Sequence, residues 1–223
     1  MHILWDIDGT LIMNAPAGGT LYFDTVAHVA GAPLQHNIAN PHGMTEGQLL
    51  SELITLNGHD LTILDDALSE LEVRALAEYE SGFIRKPVVG GFDALRKVEG
   101  QGWVNALLTG NGPLRSRYKV TAAGYTVDDF NWEKSFFGDR SPDRHHLTSL
   151  VAPVLGDEPS VIVGDTPNDG LAADSAGIPF IAVATGAYSV ADLRETSARV
   201  VVDNLVNGLD DVLGTIDEIN TRG

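Results

Sequence analysis

The sequence predicts an α/β fold, a parallel sheet flanked by crossover helices, with an all-helical segment inserted near its start. Three observations carry this. Short apolar runs of strand length alternate with helical patterns through most of the chain, residues 14–89 break that alternation, and three strand-like runs end in Asp or Thr beside a glycine.

The first run, residues 2–8, has strand character and leads into Gly9-Thr10. Residues two apart in an extended chain share a side, so Asp6 and Asp8 are expected to project together, and Gly9 lets the backbone turn sharply. Adjacent carboxylates repel unless a cation, a shared proton or a basic side chain stands between them. Aspartates at such a position also serve simply to cap a turn.

From about 14 to 89 the chain reads as consecutive helices. Leu49, Leu50, Leu53, Ile54 and Leu56 follow a helical period, as do Leu64, Leu68, Leu71, Val73, Leu76 and Ala77. Glycine- and proline-bearing stretches at 14–19 and 86–91 suit hinges. An insertion placed just after the two aspartates covers them as a lid or stands as a rigid decoration. Further strands are expected at 103–109, 134–137, 160–165 and 179–183, with a short sixth at 199–203, and helices near 92–100, 113–123, 143–152, 167–176 and 189–197.

Ala106 to Pro113 is a strand running into a helix that Pro113 starts. Free N–H groups at such a start, with the Thr109 hydroxyl beside them, make a phosphate seat, although Thr109 also fits as an ordinary strand-end threonine. Val161 to Asp169 is a buried-looking strand ending in Asp165, and Thr166 to Asp169 has the spacing of a capping box, which accounts for Asp169 without any ligand. Asp165 has no such excuse. If its strand neighbours the first one, the carboxylates there suit a hard cation such as magnesium. In Asp139 to Arg144, Ser141 reads as a helix cap with Pro142 at the first position. Arg144 in the first turn opposes the helix dipole by roughly 0.3–1 kcal/mol. It either faces the carboxylate cluster and a bound phosphate or pairs at the surface with Asp143 or Asp139.

Composition narrows the function classes. With 31 acidic and 14 basic residues the net charge is -17, which disfavours nucleic acid and anionic membranes as partners. Without cysteine there are no disulfides, thiolate metal sites or cysteine nucleophile. The chain has no run long enough to span a bilayer and opens straight into a strand, so a cytoplasmic protein is expected.

Together, Asp-Ile-Asp-Gly-Thr at 6–10, Leu-Leu-Thr-Gly-Asn at 107–111 and Gly-Asp-Thr-Pro-Asn-Asp at 164–169 resemble the first, second and fourth motifs of the haloacid dehalogenase superfamily of phosphatases. The inserted helical segment is similar in position to the cap of its phosphoglycolate phosphatase and beta-phosphoglucomutase branch. The resemblance implies a Rossmann-like sheet of order 5-4-1-2-3, a catalytic core of residues 1–13 and 90–223, and a helical cap of the C1 type at 14–89. It implies Asp6 as nucleophile, Asp8 as acid and base, and Mg2+ held by Asp6, the Asp8 main-chain carbonyl, Asp165 and Asp169. Thr109, Gly110, Asn111 and an arginine then bind the phosphate. No lysine follows Lys134, so the usual third-motif lysine is missing. Arg144 is the chosen replacement and Arg140 the second. Pro41 to Thr45 resembles the substrate-touching cap loop, which assigns His42 and Thr45 to substrate; alternatively Thr45 caps a helix with Gln48 completing the box.

The expected partner is a small-molecule phosphate ester, with monomer and homodimer both open. Asp8 argues against a dehalogenase, and the lack of a cap lysine apart from Lys86 argues against phosphonate cleavage. A phosphomutase of the beta-phosphoglucomutase type is the alternative. The cap, with Arg74, Arg85 and Lys86 as its firm cations, offers little to hold a second phosphate, so hydrolysis is favoured. A non-catalytic phosphate- or metal-binding regulator is the reading from a different class.

Overall fold

A computed structural model describes residues 1–14 and 20–222. Residues 15–19, most of the expected entry hinge, lie outside the described residues. Six parallel strands, β1 (His2–Trp5), β2 (Val104–Thr109), β3 (Phe136–Phe137), β4 (Ser160–Gly164), β5 (Phe180–Val183) and β6 (Val200–Val202), stand in the order β3-β2-β1-β4-β5-β6. This is the expected order 5-4-1-2-3 with β6 added beyond β5. The central strands are buried on both faces, which is why they read as unbroken apolar runs.

Successive residues of each strand feed two separate cores. Ile3, Trp5, Leu107, Val161 and Val163 face α4 (Gly91–Gly100) and α10 (Leu209–Arg222). Leu4, Ala106, Leu108 and Ile162 face α6 (Arg144–Ser149), α7 (Val151–Leu155) and α8 (Pro167–Ala176). The single helix expected at 143–152 is therefore two. The one expected at 189–197 is only the short α9 (Val190–Leu193), and the sequence reading leaves α10 out altogether. The remaining core helix, α5 (Pro113–Ala122), begins with proline as expected.

α1 (Leu21–Ala30), α2 (Glu46–Leu56) and α3 (Leu64–Glu80) pack around an apolar centre of their own, with Val26, Leu50, Leu53, Ile54 and Leu71 at its heart. Val73 and Leu76, expected on the apolar face, are 62% and 38% exposed. The two connections to the core run side by side, since Met13 N–H donates to Lys86 O at 2.9 Å and Val88 N–H to Leu11 O at 2.8 Å.

The register of β1 fixes where the chemistry lies. Trp5 stands opposite Leu107 on one side and Val163 on the other, so the residues following all three strands emerge at one carboxyl edge. Ligands of open parallel sheets bind at such an edge, where the strand order reverses. Because Leu53 is fully buried at the centre of the helical insertion, Leu53→Ala is expected to cost about 2–5 kcal/mol in urea denaturation. A loss below about 1 kcal/mol would mean that α1–α3 share no real core.

Candidate active site

β1 stops at Trp5, and the chain then folds back on itself, with the amides of Leu11 and Ile12 both donating to Ile7 O. Gly9 makes this possible twice over. Its φ of 86° lies in the left-handed region, and a Cβ there would run into the Asp165 carboxylate. The tight turn brings Asp6, Asp165 and Asp169 together, with one carboxylate oxygen from each within 4.8 Å of the others. Asp165 also accepts from the Thr10 hydroxyl at 3.1 Å. Asp169 accepts from Thr166 N–H and hydroxyl at 3.1 and 2.8 Å, so it closes the capping box of α8 and belongs to the cluster as well.

Burial pushes the Asp6 carboxyl up to about 6, with Arg144 opposing and Asp169 and Asp8 adding to the rise. Burial, then Asp6 and Asp169, likewise raise Asp165 well above the ordinary value. Mutual repulsion among dry, oxygen-only donors is the signature of a site that a hard divalent cation would relieve, so these residues fit such an ion.

Arg144 supplies the positive charge that the cluster has of its own. Its Nη2 lies 3.2 Å from Asp6 Oδ1 and 2.6 Å from Asp169 Oδ1, and it donates to Leu108 O at 3.0 Å. Burial acts to lower the Arg144 pKa, but Asp169 and Asp6 outweigh it and raise it above the ordinary value. Arg140 is elsewhere, 73% exposed and paired with Asp65 at 3.0 Å. The cap of α6 is Asp143, not Ser141, because the Asp143 carboxylate accepts from His146 N–H at 2.7 Å. This puts Arg144 at the very first helical position, where the adverse dipole is offset by the two aspartates it grips.

Asp8 departs from expectation. Its side chain does not join the Asp6 cluster, because the strand alternation ends before it. Instead its Oδ2 accepts from Lys119 Nζ at 2.5 Å and Asn111 Nδ2 at 2.8 Å. Asn111 also donates to Thr109 Oγ1 at 2.9 Å and accepts from Lys119 at 2.7 Å, closing a small ring. Burial acts to raise Asp8, but Lys119 and Asn111 outweigh it and hold the carboxyl far below the usual range. Burial and the neighbouring Arg115 push Lys119 down to about 8.

The cap loop closes over this edge. A cavity of about 270 Å³ is lined by Asp6, Asp8, Thr109, Arg144 and Asp165 from the core and by His42 and Met44 from the loop. Glu46 N–H donates to Gly110 O at 2.8 Å, and a Cβ on Gly110 would strike the Met44 carbonyl. Thr45 is fully buried and caps α2, accepting from Gln48 N–H at 3.1 Å and donating to Ser141 O at 2.6 Å. Gln48 turns its side chain to Glu52, so the expected box is not completed, and Thr45 is not among the residues lining the cavity.

Known proteins resemble this chain in sequence and in fold. A family model described as HAD-hydrolase-like matches residues 140–208. The phosphoglycolate phosphatase of Agrobacterium fabrum is 26% identical over 212 residues, 90% of this chain and 87% of the relative. That of Pseudomonas putida is 29% identical over 219 residues, 91% and 76% of the two chains. A crystal structure of a hydrolase from Pseudomonas syringae has a similar fold, with a TM-score of 0.70 at 19% identity over 96% of this chain and 98% of that one. The chain is thus similar in sequence to phosphoglycolate phosphatases over most of its length, and residues 140–208 match the HAD-hydrolase-like model.

Of the two arginines expected to stand in for the third-motif lysine, Arg144 reaches the acidic cluster and Arg140 does not. Four further residues at the edge escaped sequence reasoning. Arg115 donates to Glu46 Oε1 at 2.5 Å and to the Tyr22 hydroxyl, and Glu46 Oε2 accepts from Gly112 N–H at 2.8 Å. Arg115 thereby ties α5 to α1 and α2, while Lys119, the fourth, ties α5 to Asp8 and Asn111. The available signal is the i,i+4 spacing of Arg115 and Lys119, which puts two cations on one face of a helix.

Breaking a buried ion pair from one side typically costs about 3–5 kcal/mol, whereas exposed pairs contribute about 0–1 kcal/mol. Arg144→Met should therefore lose several kcal/mol in chemical denaturation of the metal-free protein, and Arg140→Met almost nothing. Equal losses would show that Arg144 is not what balances the cluster.

Proposed function

We propose that this phosphatase hydrolyses a small phosphate monoester, phosphoglycolate-like or sugar-phosphate-like, through a phosphoryl group carried on Asp6. The observation that supports it most is the placing of Asp6 in the cavity wall, gripped by Arg144 and flanked by two further buried carboxylates. The names of the phosphoglycolate phosphatases it is similar to support the same substrate class.

In this reading residues 1–13 and 90–223 form the catalytic core and 14–89 a cap that excludes water and selects the substrate. Asp6 attacks phosphorus, the bond to the alcohol oxygen breaks, and Asp8 delivers a proton to the departing oxygen. Asp8 then takes a proton from the water that releases phosphate from Asp6. Lys119 favours the ionised Asp8 that this second step needs. For the first step, Lys119 Nζ at 2.5 Å is a proton source in direct contact with Asp8 Oδ2. Thr109, Gly110, Asn111 and Arg144 bind the phosphate oxygens, and His42 touches the remainder of the substrate. Mg2+, held by Asp6, the Asp8 main-chain carbonyl, Asp165 and Asp169, would neutralise charge between nucleophile and phosphate. No described helix is long and apolar enough to cross a membrane, and a cytoplasmic small-molecule enzyme fits the strongly acidic composition.

The test is phosphate release from a panel of small monoesters with magnesium or with chelator, using Asp6→Asn as control. Release that needs magnesium and falls by at least about a thousandfold in the variant is expected. Retained turnover in Asp6→Asn would remove Asp6 from the nucleophile role. No release from any ester would overturn the phosphatase reading.

A further inference from the structure

The turn proposed to seat the phosphate, residues 109–111, runs straight into a helix that cannot cap itself. α5 begins with Pro113, which has no N–H, and the cap position is Gly112, which has no side chain to offer. The missing group comes from the start of α2, 66 residues away. Glu46 Oε2 accepts from Gly112 N–H at 2.8 Å, and Glu46 N–H donates to Gly110 O at 2.8 Å. One residue thus grips the turn on both sides of Asn111.

The rest of the turn is braced as closely. Asn111 O accepts from Gly138 N–H at 3.0 Å, and Gly138 O accepts from the N–H of Gly47, the next residue of α2, also at 3.0 Å. A Cβ on Gly138 would strike the Gly110 backbone, and one on Gly47 would strike the carbonyls of Asp139 and Ser141. Glu46 itself is 4% exposed and is not among the residues lining the cavity, so it does not reach a substrate there. Its charge is spent inside the protein. Oε1 accepts from Arg115 at 2.5 Å, and the carboxylate lies between the first turn of α2 and the start of α5, where both helix dipoles favour an anion. What it holds still is chemically consequential. From this turn the Asn111 amide donates to Asp8 Oδ2 at 2.8 Å and to Thr109 Oγ1 at 2.9 Å.

We infer that Glu46 is a positioning residue for the phosphate seat. It sets the path of the backbone from Gly110 to Gly112, and through that path the places of Thr109 and Asn111, without touching the substrate. This rests on the proposed phosphatase reading, in which that turn binds the phosphate oxygens, and goes beyond it by placing a determinant of phosphate affinity on α2, outside the cavity. The bond that matters is the one to Gly112 N–H. Arg115 serves to neutralise the carboxylate that makes it.

The test measures the binding of inorganic phosphate by calorimetry at saturating magnesium, so that neither turnover nor a leaving group enters. Two double variants are compared, each designed to strand no buried charge. Glu46→Gln with Arg115→Leu keeps an acceptor for Gly112 N–H, and Glu46→Leu with Arg115→Leu has none. Phosphate affinity is expected to be at least about tenfold weaker in the leucine variant, the scale of one well-made hydrogen bond, with magnesium affinity within about twofold in the two. Equal phosphate affinities would overturn the inference. A matching fall in magnesium affinity would do so too, because it marks a general loosening of the site. Should a double variant not fold, Glu46→Asp keeps the charge for Arg115 but is one methylene shorter toward Gly112. Weaker phosphate binding is expected there, and unchanged binding would overturn the inference. Failure of the phosphatase reading looks different, since the unsubstituted enzyme would then neither bind phosphate nor release it from esters.

Discussion

Three carboxylates crowded into the dry carboxyl edge of the sheet are what the rest of this structure accommodates. Burying one ionised carboxylate is costly, and burying three within 4.8 Å adds their repulsion. The chain answers in several ways. Gly9 leaves room for Asp165, Thr10 and Thr166 donate hydrogen bonds, and Arg144 accepts an unfavourable place at a helix start in order to reach two of the carboxylates. One guanidinium does not balance three acids. The raised Asp6 and Asp165 report the remaining excess of negative charge, which a divalent cation would take up.

The same edge separates two aspartates that are two residues apart in sequence. Asp6 sits among like charges and is pushed up, while Asp8 faces Lys119 and Asn111 and is held down. Opposite shifts of this kind are how neighbouring groups of one chemistry come to serve different roles. Asp8 owes its state to α5, and α5 is in turn tied to α1 and α2 through Arg115, Tyr22 and Glu46. The acid and base proposed for the reaction is thus coupled to the seating of α1 and α2, through a chain of buried and part-buried polar bonds.

Much of this was legible in the sequence because it is local. The apolar runs at 103–109 and 160–165 mark strands buried on both faces, and their order follows once residues 14–89 are set aside as helical. Asp165 stood out because no turn or cap explained it, and Arg144 because a cation at a helix start needs a reason to be there. What escaped depends on distance in the chain. Asp8 was expected beside Asp6, but strand alternation stops at Trp5 and Lys119, 111 residues away, draws it aside. Ser141 and Asp143 are both good caps, and only the fold of the loop chooses between them. Val73 and Leu76 keep the helical period yet face outward, since period alone does not say where the neighbouring helix ends. The C-terminal α10 was there to be read, with Leu209, Val212 and Ile216 at helical spacing and buried.

The claim that the acidic cluster is built for a divalent cation is tested most directly by the melting temperature of the metal-free protein as magnesium is added. An ion that binds the folded state alone, at a hundred times its dissociation constant, adds about 2.7 kcal/mol, or about 5–10 °C for a chain of this size. The account predicts a saturable rise of that order, absent in Asp165→Asn. A melting temperature indifferent to millimolar magnesium would contradict it.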